Sequence, residues 1–264
     1  MAGQRNIEAA RLLADAWLAD SVIEPLPAHL RPRNHSEATA IQDAMARRIG
    51  LPVAGWKVGG APNVGRIFAP RLFATPAVLP VPAFAAARIE CELGFRLRHD
   101  LPPRSDDYSE AEVAAACALM PCVEITTARV RQARHIAQSP DDVLDILADN
   151  AVQGGLVVGA AIDDWRTLSL LDITIDLRID GGQAVPLNPR EDRSEPFKVM
   201  VWLVNALSAR GIGLSVSQVT TLGSITVSQP LAPGQSAVAD YGRFGSIAVA
   251  VAAPDEQVIP EKLL

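Results

Sequence analysis

From Ile89 to Leu97 the chain alternates without a break, with Ile89, Cys91, Leu93, Phe95 and Leu97 on one side and Glu90, Glu92, Gly94 and Arg96 on the other. A period of two predicts a β-strand whose apolar face meets a core. It also places Glu90 and Glu92 on the same face, with roughly 7 Å between their Cα atoms. Like charges that close repel unless a cation or a strong donor lies between them. Hard cations such as Mg²⁺ or Mn²⁺ favour oxygen ligands, and a few carboxylates plus water form their common shell. The same alternation also suits an antiparallel strand whose polar face meets water, so spacing alone leaves both open.

Around this strand the pattern predicts helices early and strands late. Ile7, Ala10, Leu13, Ala14, Trp17 and Leu18 recur at helical spacing. After a proline-rich link (Glu24–Pro27 through Arg31–Arg33), Ser36 reads as the N-cap of a second helix carrying Ala38, Ile41, Met45 and Ile49, stopped by Gly50-Leu51-Pro52. Residues 66–88 are proline-rich and read as loop with short strands. Ser109-Glu110-Ala111-Glu112 is a capping box opening a helix to about Leu119. Ser139-Pro140 opens another, with Asp141 and Asp142 complementing its dipole. Leu156–Ile162 is a continuous apolar run, and Asp172–Asp180 alternates again. Ser194-Glu195-Pro196 starts a helix bearing Val199, Leu203 and Leu207, ended by Gly211. Short strands near 218–228 and 245–252 complete an α+β class.

A length of 264 residues, 49% of them hydrophobic, suits one large domain or one domain with a small N-terminal lobe. The expected division is an N-terminal helical and loop part over 1–80 and a core over 81–264, integrated into one domain. The formal net charge is -6 with no Lys/Arg run, which argues against nucleic acid or an anionic membrane as partner. No stretch is long and apolar enough to span a bilayer, and the N-terminus lacks the apolar segment of a secretory signal. Three cysteines, Cys91, Cys117 and Cys122, match no zinc spacing and fit a reducing compartment, so the expected location is cytoplasmic.

Other candidate groups lie in short motifs. Glu124 is a lone acid in Met120-Pro121-Cys122-Val123-Glu124-Ile125; buried there, it needs a cation or a hydrogen-bond partner, and otherwise it faces solvent. Lys57 stands in Ala54-Gly55-Trp56-Lys57-Val58-Gly59-Gly60, where glycines allow a ligand close to the backbone; a surface lysine in a glycine-rich turn reads the same way. Asp149-Asn150 and Gln153-Gly154-Gly155 form a polar junction that would serve as an ordinary helix end. None of His29, His35, His99 and His135 pairs at metal-ligand spacing. There is no nucleophile elbow, P-loop or dinucleotide fingerprint.

Taken in order, these pieces resemble the fumarylacetoacetate hydrolase superfamily, in its 2-oxopent-4-enoate hydratase and 4-oxalocrotonate decarboxylase branch. Gly55-Trp56-Lys57-Val58-Gly59 resembles the branch's lysine motif, Ile89-Glu90-Cys91-Glu92-Leu93-Gly94-Phe95 its E-x-E strand, and Pro121-Cys122-Val123-Glu124-Ile125 with Arg129 its third acidic motif. Ala148-Asp149-Asn150-Ala151 running into Gly159, and then Trp202–Asn205, Gly223-Ser224, Pro233-Gly234 and Phe244–Ser246, continue the match to about residue 250. The resemblance implies a rolled mixed β core with an N-terminal helical part and a homo-oligomer. It implies Mg²⁺ or Mn²⁺ held by Glu90, Glu92 and Glu124, with Lys57 and Asp149 as catalytic groups and Gly59, Arg129, Gln153 and Ser224 around the substrate. The implied activity is a lyase, hydratase or decarboxylase, on a small 2-oxo or 2-hydroxydienoic acid, through a metal-chelated enolate. An acylpyruvate-type C–C hydrolase, and a catalytically silent oxo-acid-binding or partner subunit, are the alternatives on the same fold.

Four positions depart from that pattern: Ala61, Ala128, Val152 and Leu222 stand where hydroxyl side chains are usual. If they share one cavity with the three glutamates, they favour a substrate with a longer or less polar tail, because each buried methylene contributes about 0.8 kcal/mol. Repacking of core-facing positions would explain the same changes.

Overall fold

A computed structural model describes residues 2–131 and 140–254. Helices α1 (Ala2–Leu18) and α2 (His35–Ile49) lead the chain. In α1 the buried stripe is Ala9, Ala10, Leu13, Ala14 and Trp17, while Ile7 and Leu18 at its margins are 57% and 52% exposed. The N-cap of α2 is Asn34 rather than Ser36, its side chain accepting from the Glu37 backbone N–H at 2.9 Å. Ala38, Ile41, Met45 and Ile49 are buried, and Gly50 ends the helix at φ 69°, where glycine carries no side-chain penalty. The two helices share a core with Leu26, Phe68, Val130 and Leu147, and Trp17 meets Phe68 edge-on at 5.1 Å.

Strands then dominate: β1 (Val53–Val58), β2 (Val64–Phe68), β3 (Leu72–Ala74), β4 (Ala77–Leu79) and β5 (Ala87–Leu97). Helix α3 (Glu110–Ala116) leads into β6 (Cys117–Thr126), and α4 (Pro140–Ala148) into β7 (Gln153–Val158). After β8 (Asp176–Ile179) come α5 (Pro196–Ser208), β9 (Val219–Thr221), β10 (Gln229–Leu231), β11 (Ser236–Asp240) and β12 (Ser246–Val251).

The larger sheet runs β2-β1-β9-β5-β6-β7-β3, with β10 beside the start of β5. It is mixed: β1 with β9 and β3 with β7 are parallel, whereas β5, β6 and β7 pair antiparallel. It rolls far enough that β2 reaches β7. A second sheet, β4-β12-β11-β8, packs Ala237, Ala239, Ile247, Val249 and Val251 onto the Ile89, Cys91, Leu93 and Phe95 face of β5. The Tyr241 hydroxyl donates to the Cys122 carbonyl at 2.5 Å and ties the sheets together. Cys91, Cys117 and Cys122 are all buried and unbridged. No helix among the described residues is long and apolar enough to cross a membrane.

Two glycines fix the line of β9. A Cβ at Gly94 would lie 1.7 Å from the Thr220 carbonyl oxygen, and one at Gly55 would lie 2.1 Å from that of Val219. Any side chain there would push β9 away from β5 or β1, so these glycines set the distance across which Lys57, Glu92 and Thr221 meet.

Several boundaries differ from the pattern-based expectation. Helix α3 ends at Ala116, not near Leu119, because residues 117–126 pair residue for residue with β5 and that ladder overrides local helical spacing. Its capping box is formed as expected. Helix α4 begins at Pro140; Ser139 lies outside the described residues. The apolar run at 156–162 is strand only to Val158, with Ile162 making an isolated bridge to Leu119. The alternation at 172–180 becomes strand only at Asp176, after a 3₁₀ turn at Leu170–Asp172. Helix α5 is capped by the Glu195 carboxylate, which accepts from the Lys198 N–H at 2.7 Å. Strands β1, β2 and β3 lie in the larger sheet and β4 in the smaller one, so both sheets draw strands from before and after residue 80.

Candidate active site

Glu90 and Glu124 are direct partners across β5 and β6, and Glu92 lies two residues further along the same face of β5. One carboxylate oxygen from each of the three falls within 4.8 Å of the others. Lys57 reaches them from β1, where it pairs with Thr221 on β9 and Gly65 on β2. Its Nζ sits 2.5 Å from Glu124 Oε1, with both side chains almost fully buried. The approach angle leaves that oxygen without an aligned hydrogen bond. Glu92 is anchored from behind: its Oε2 accepts from the Thr221 hydroxyl and, at 2.8 Å, from the Gly223 N–H.

The electrostatics are those of a charge cluster short of a counter-ion. Burial pushes the Glu92 carboxyl well above the usual range, and neighbouring Glu124 and Glu90 push it further, against the hydrogen bonds from Thr221 and Gly223. Burial also raises Glu124, with Lys57 opposing. For Lys57 burial alone would lower the ammonium pKa, but Glu124 and Glu90 outweigh it and hold it above its ordinary value. Three carboxylates against one ammonium leave a formal charge of two negatives. Three convergent carboxylates, Glu92 and Glu124 buried and Glu90 half-buried, and an oxygen of Glu124 lacking an aligned donor fit a hard divalent cation, whose ligand bonds run about 2.0–2.6 Å.

The cluster opens into a cavity of about 320 Å³. Lys57, Glu90, Glu92 and Glu124 line it together with Gly59, Gly60, Ser224, and a loop segment formed by Asp192, Arg193 and Ser194. Of the four positions that lack the usual hydroxyl, Ala61 and Leu222 border this cavity. Ala128 lines a separate one of about 190 Å³ with Trp17, Arg71 and Arg129, and Val152 is buried in a tight turn.

The structure thus gathers Lys57, Glu90, Glu92, Glu124, Gly59 and Ser224 around one space and sets Asp149, Arg129 and Gln153 apart from its walls. Asp149 is fully buried and consumed by Arg129: its Oδ1 accepts from Arg129 Nε at 2.6 Å and its Oδ2 from the Arg129 N–H at 2.8 Å. The guanidinium also donates to the carbonyls of Asp149, Thr127 and Gln153. A carboxylate and a guanidinium so engaged have protein partners and lie off the walls of the glutamate cavity. The Gln153 side-chain amide is buried and makes no hydrogen bond among the described residues. His29, His35 and His99 are exposed and away from the cavity; His135 lies outside the described residues.

Thr221, Asp192 and Arg193 are the groups that sequence reasoning missed. Thr221 is adjacent to Leu222, where a hydroxyl was missed as absent, so the hydroxyl facing Glu92 comes from one residue earlier. Arg193 precedes the recognised helix start at Ser194, but nothing in its neighbours signals that the loop folds over the cavity.

No protein-family profile matches the chain. A 2-keto-4-pentenoate hydratase of Paraburkholderia xenovorans is 25% identical over 262 residues, covering 94% of this chain and 95% of the relative. A 2-oxo-hept-4-ene-1,7-dioate hydratase of Escherichia coli is 28% identical over 192 residues, 70% of this chain and 69% of that relative. The structure of 4-oxalocrotonate decarboxylase from Pseudomonas putida G7 complexed with calcium and acetate superposes with a TM-score of 0.78 at 20% identity, over 94% of this chain and 97% of that one. The same enzyme complexed with magnesium and adipate gives 0.78 at 19% identity, with the same coverage. The α+β fold anticipated from the motifs, a rolled mixed β core with N-terminal helices, is therefore the fold of the chain. These relatives are the hydratases and decarboxylases that the motifs resemble.

Proposed function

We propose that the chain is a divalent-cation-dependent lyase that hydrates or decarboxylates a small 2-oxo acid or its 2-hydroxydienoate form. The observation that carries this reading is the convergent cluster of half-buried Glu90 with buried Glu92 and Glu124, opposed by Lys57 and opening on a cavity. The relatives support it, being named for small 2-oxo acids and, in one case, complexed with magnesium or calcium.

Glu90, Glu92 and Glu124 would hold Mg²⁺ or Mn²⁺, whose two positive charges match the two negatives left over in the cluster. Such a cation supplies Lewis-acid polarisation of the acid's carboxylate and 2-oxo oxygens. The remaining work falls to the chain. Thr221 and Gly223 hold Glu92 in one orientation, so a ligand oxygen stays fixed while substrate enters. Lys57, kept protonated by its carboxylate neighbours, presents Nζ to the substrate oxygens and is the group in the cavity suited to hold or deliver a proton there. Gly59 and Gly60 leave room beside it, and Ser224, whose hydroxyl donates to the Thr226 carbonyl at 2.7 Å, lies on the same wall.

The test is absorbance decay of 2-hydroxypenta-2,4-dienoate and of 4-oxalocrotonate with metal-stripped protein, with and without Mn²⁺, and with CO₂ release assayed in parallel. Mn²⁺-dependent decay that Glu92→Gln abolishes is expected, and CO₂ release separates decarboxylation from hydration. Inertness toward both acids with Mn²⁺ present, or turnover of acylpyruvates instead, would overturn the reading.

A further inference from the structure

The cavity has a second cation that the chemistry above does not use. Arg193 lies at the end of the 3₁₀ turn Arg190–Asp192, half-buried on the cavity wall. Its stem is fixed: Nε donates to the Asn188 carbonyl at 2.8 Å. Asn188 is fixed in turn, its amide donating to the Ser224 and Thr226 carbonyls at 3.0 Å each and its backbone N–H to Ile225 at 2.8 Å. Arg193 is therefore braced against the stretch whose Gly223 N–H orients Glu92. The brace uses only Nε. Among the described residues no acceptor engages the two terminal nitrogens, and no carboxylate lies within ion-pairing distance of them, Asp192 included.

Arg193 lines the same cavity as the three glutamates but makes no ion pair with them, its Nε being held by the Asn188 carbonyl. With a divalent ion bound, the glutamates and Lys57 would sum to zero, which leaves the positive charge of Arg193 on the cavity wall unmatched by any other lining group except the exposed Asp192. Val58, Ala61, Val199 and Leu222 line the same cavity and suit the carbon chain of a ligand. A guanidinium with two free nitrogens matches a carboxylate bidentately.

We infer that Arg193 binds a second, terminal carboxylate, so that the preferred substrate is a dicarboxylic 2-oxo acid rather than a monocarboxylic one. The inference rests on the reading that the glutamate cluster takes the oxo-acid head. It also sharpens what Ala61 and Leu222 suggest about the tail: a longer chain, apolar in the middle and anionic at its end.

The experiment is calorimetric titration of Mn²⁺-loaded protein with two saturated six-carbon acids, 2-oxoadipate and 2-oxohexanoate, which have no double bond to hydrate. The wild type is expected to prefer 2-oxoadipate by about 10-fold or more, the range of a charged hydrogen-bonded pair. Arg193→Gln should remove that preference and leave 2-oxohexanoate affinity unchanged, while Arg193→Lys should restore part of it and guards against a folding defect. Equal wild-type affinity for the two acids overturns the inference alone. An equal loss of both acids in Arg193→Gln overturns it too, because Arg193 would then serve the head site, as its ligand or as the brace of the Gly223 stretch. Binding of neither acid with Mn²⁺ present would sink the oxo-acid reading and this inference with it.

Discussion

Arg129 with Asp149, and Lys57 with Glu92, Glu124 and the half-buried Glu90, are both sets of charges largely buried at the larger sheet, yet their hydrogen bonding differs throughout. In the first, the guanidinium donates through Nε and both terminal nitrogens, and each carboxylate oxygen of Asp149 has a donor. In the second, three acids meet one ammonium, an oxygen of Glu124 lacks an aligned donor, and a cavity lies in front. A buried charge with every partner in place holds structure together; a buried cluster with charge left over is prepared for something that arrives later. Burial and ionisable residues are common to both, so it is the state of satisfaction that separates a fold element from a site.

The largest expected effect is at Lys57. Lys57→Ala should lower kcat/KM by about 10²–10⁴-fold, the usual range for removing a positioned proton-transfer group, while in Mn²⁺-loaded protein, where the ion replaces Lys57 as counter-charge to the glutamates, the melting temperature falls far less than that loss would require. Steady-state kinetics beside a thermal melt would check it, and unchanged activity would reduce Lys57 to a structural counter-charge. Asp149→Asn should do the reverse. It leaves Arg129 buried without its charge partner, at a cost of about 3–5 kcal/mol in urea unfolding, with turnover per folded molecule near wild type. A stable but inactive Asp149→Asn would break the comparison and return Asp149 to the catalytic machinery.

The third effect is that of the ion. Because the cluster carries two excess negatives, Mn²⁺ should stabilise the folded protein by about 2.7 kcal/mol at a hundred times its Kd. Calorimetric melts should show the increase in wild type and in Asp149→Asn but not in Glu92→Gln. An increase that survives Glu92→Gln would mean that the ion binds elsewhere.

How much of this could be read from the sequence follows the same division. Same-face placement of Glu90 and Glu92 needs only the period of a strand, and the burial of Ile89, Cys91, Leu93 and Phe95 follows from it. That Glu124 lands opposite Glu90 depends on the register of β5 with β6, which no local pattern carries and which the family motifs supplied. The motifs say less about roles. Asp149-Asn150 and Arg129 match the branch as well as Lys57 does, but a motif records that residues are kept together, not whether their partners are the protein or a ligand. Asn150, Ala151 and Val152, all at positive φ from 50° to 53°, form a left-handed turn that Asn150 tolerates but that Ala151 and Val152 do not announce. It is held by the Asn150 side chain, which accepts from Arg66 N–H and donates to Arg66 C=O at 2.8 Å each, a long-range contact that the sequence does not show.

The smallest effect comes from a third pair that is satisfied but exposed. Glu112 accepts from Arg104 at 2.7 and 2.9 Å and from the Ser109 N–H at 2.8 Å, closing the capping box of α3. The hydrogen bond from Arg104, then that from the Ser109 backbone, hold its carboxyl down to about 2 from an ordinary value of 4.5. A carboxyl whose pKa is lower in the folded chain contributes stability that is complete above the unfolded value and is lost as pH falls through the folded one. Wild type should therefore exceed Glu112→Gln in stability by a constant margin above about pH 4.5, and the margin should close towards pH 2. Because water screens this pair, the margin should be the smallest of the four effects, with kinetics unchanged. Urea titrations of both proteins from pH 2 to 7 would measure it. A margin as large as that of Asp149→Asn would show that satisfaction without burial suffices, and the contrast between the two buried clusters would then have to be drawn on the cavity alone.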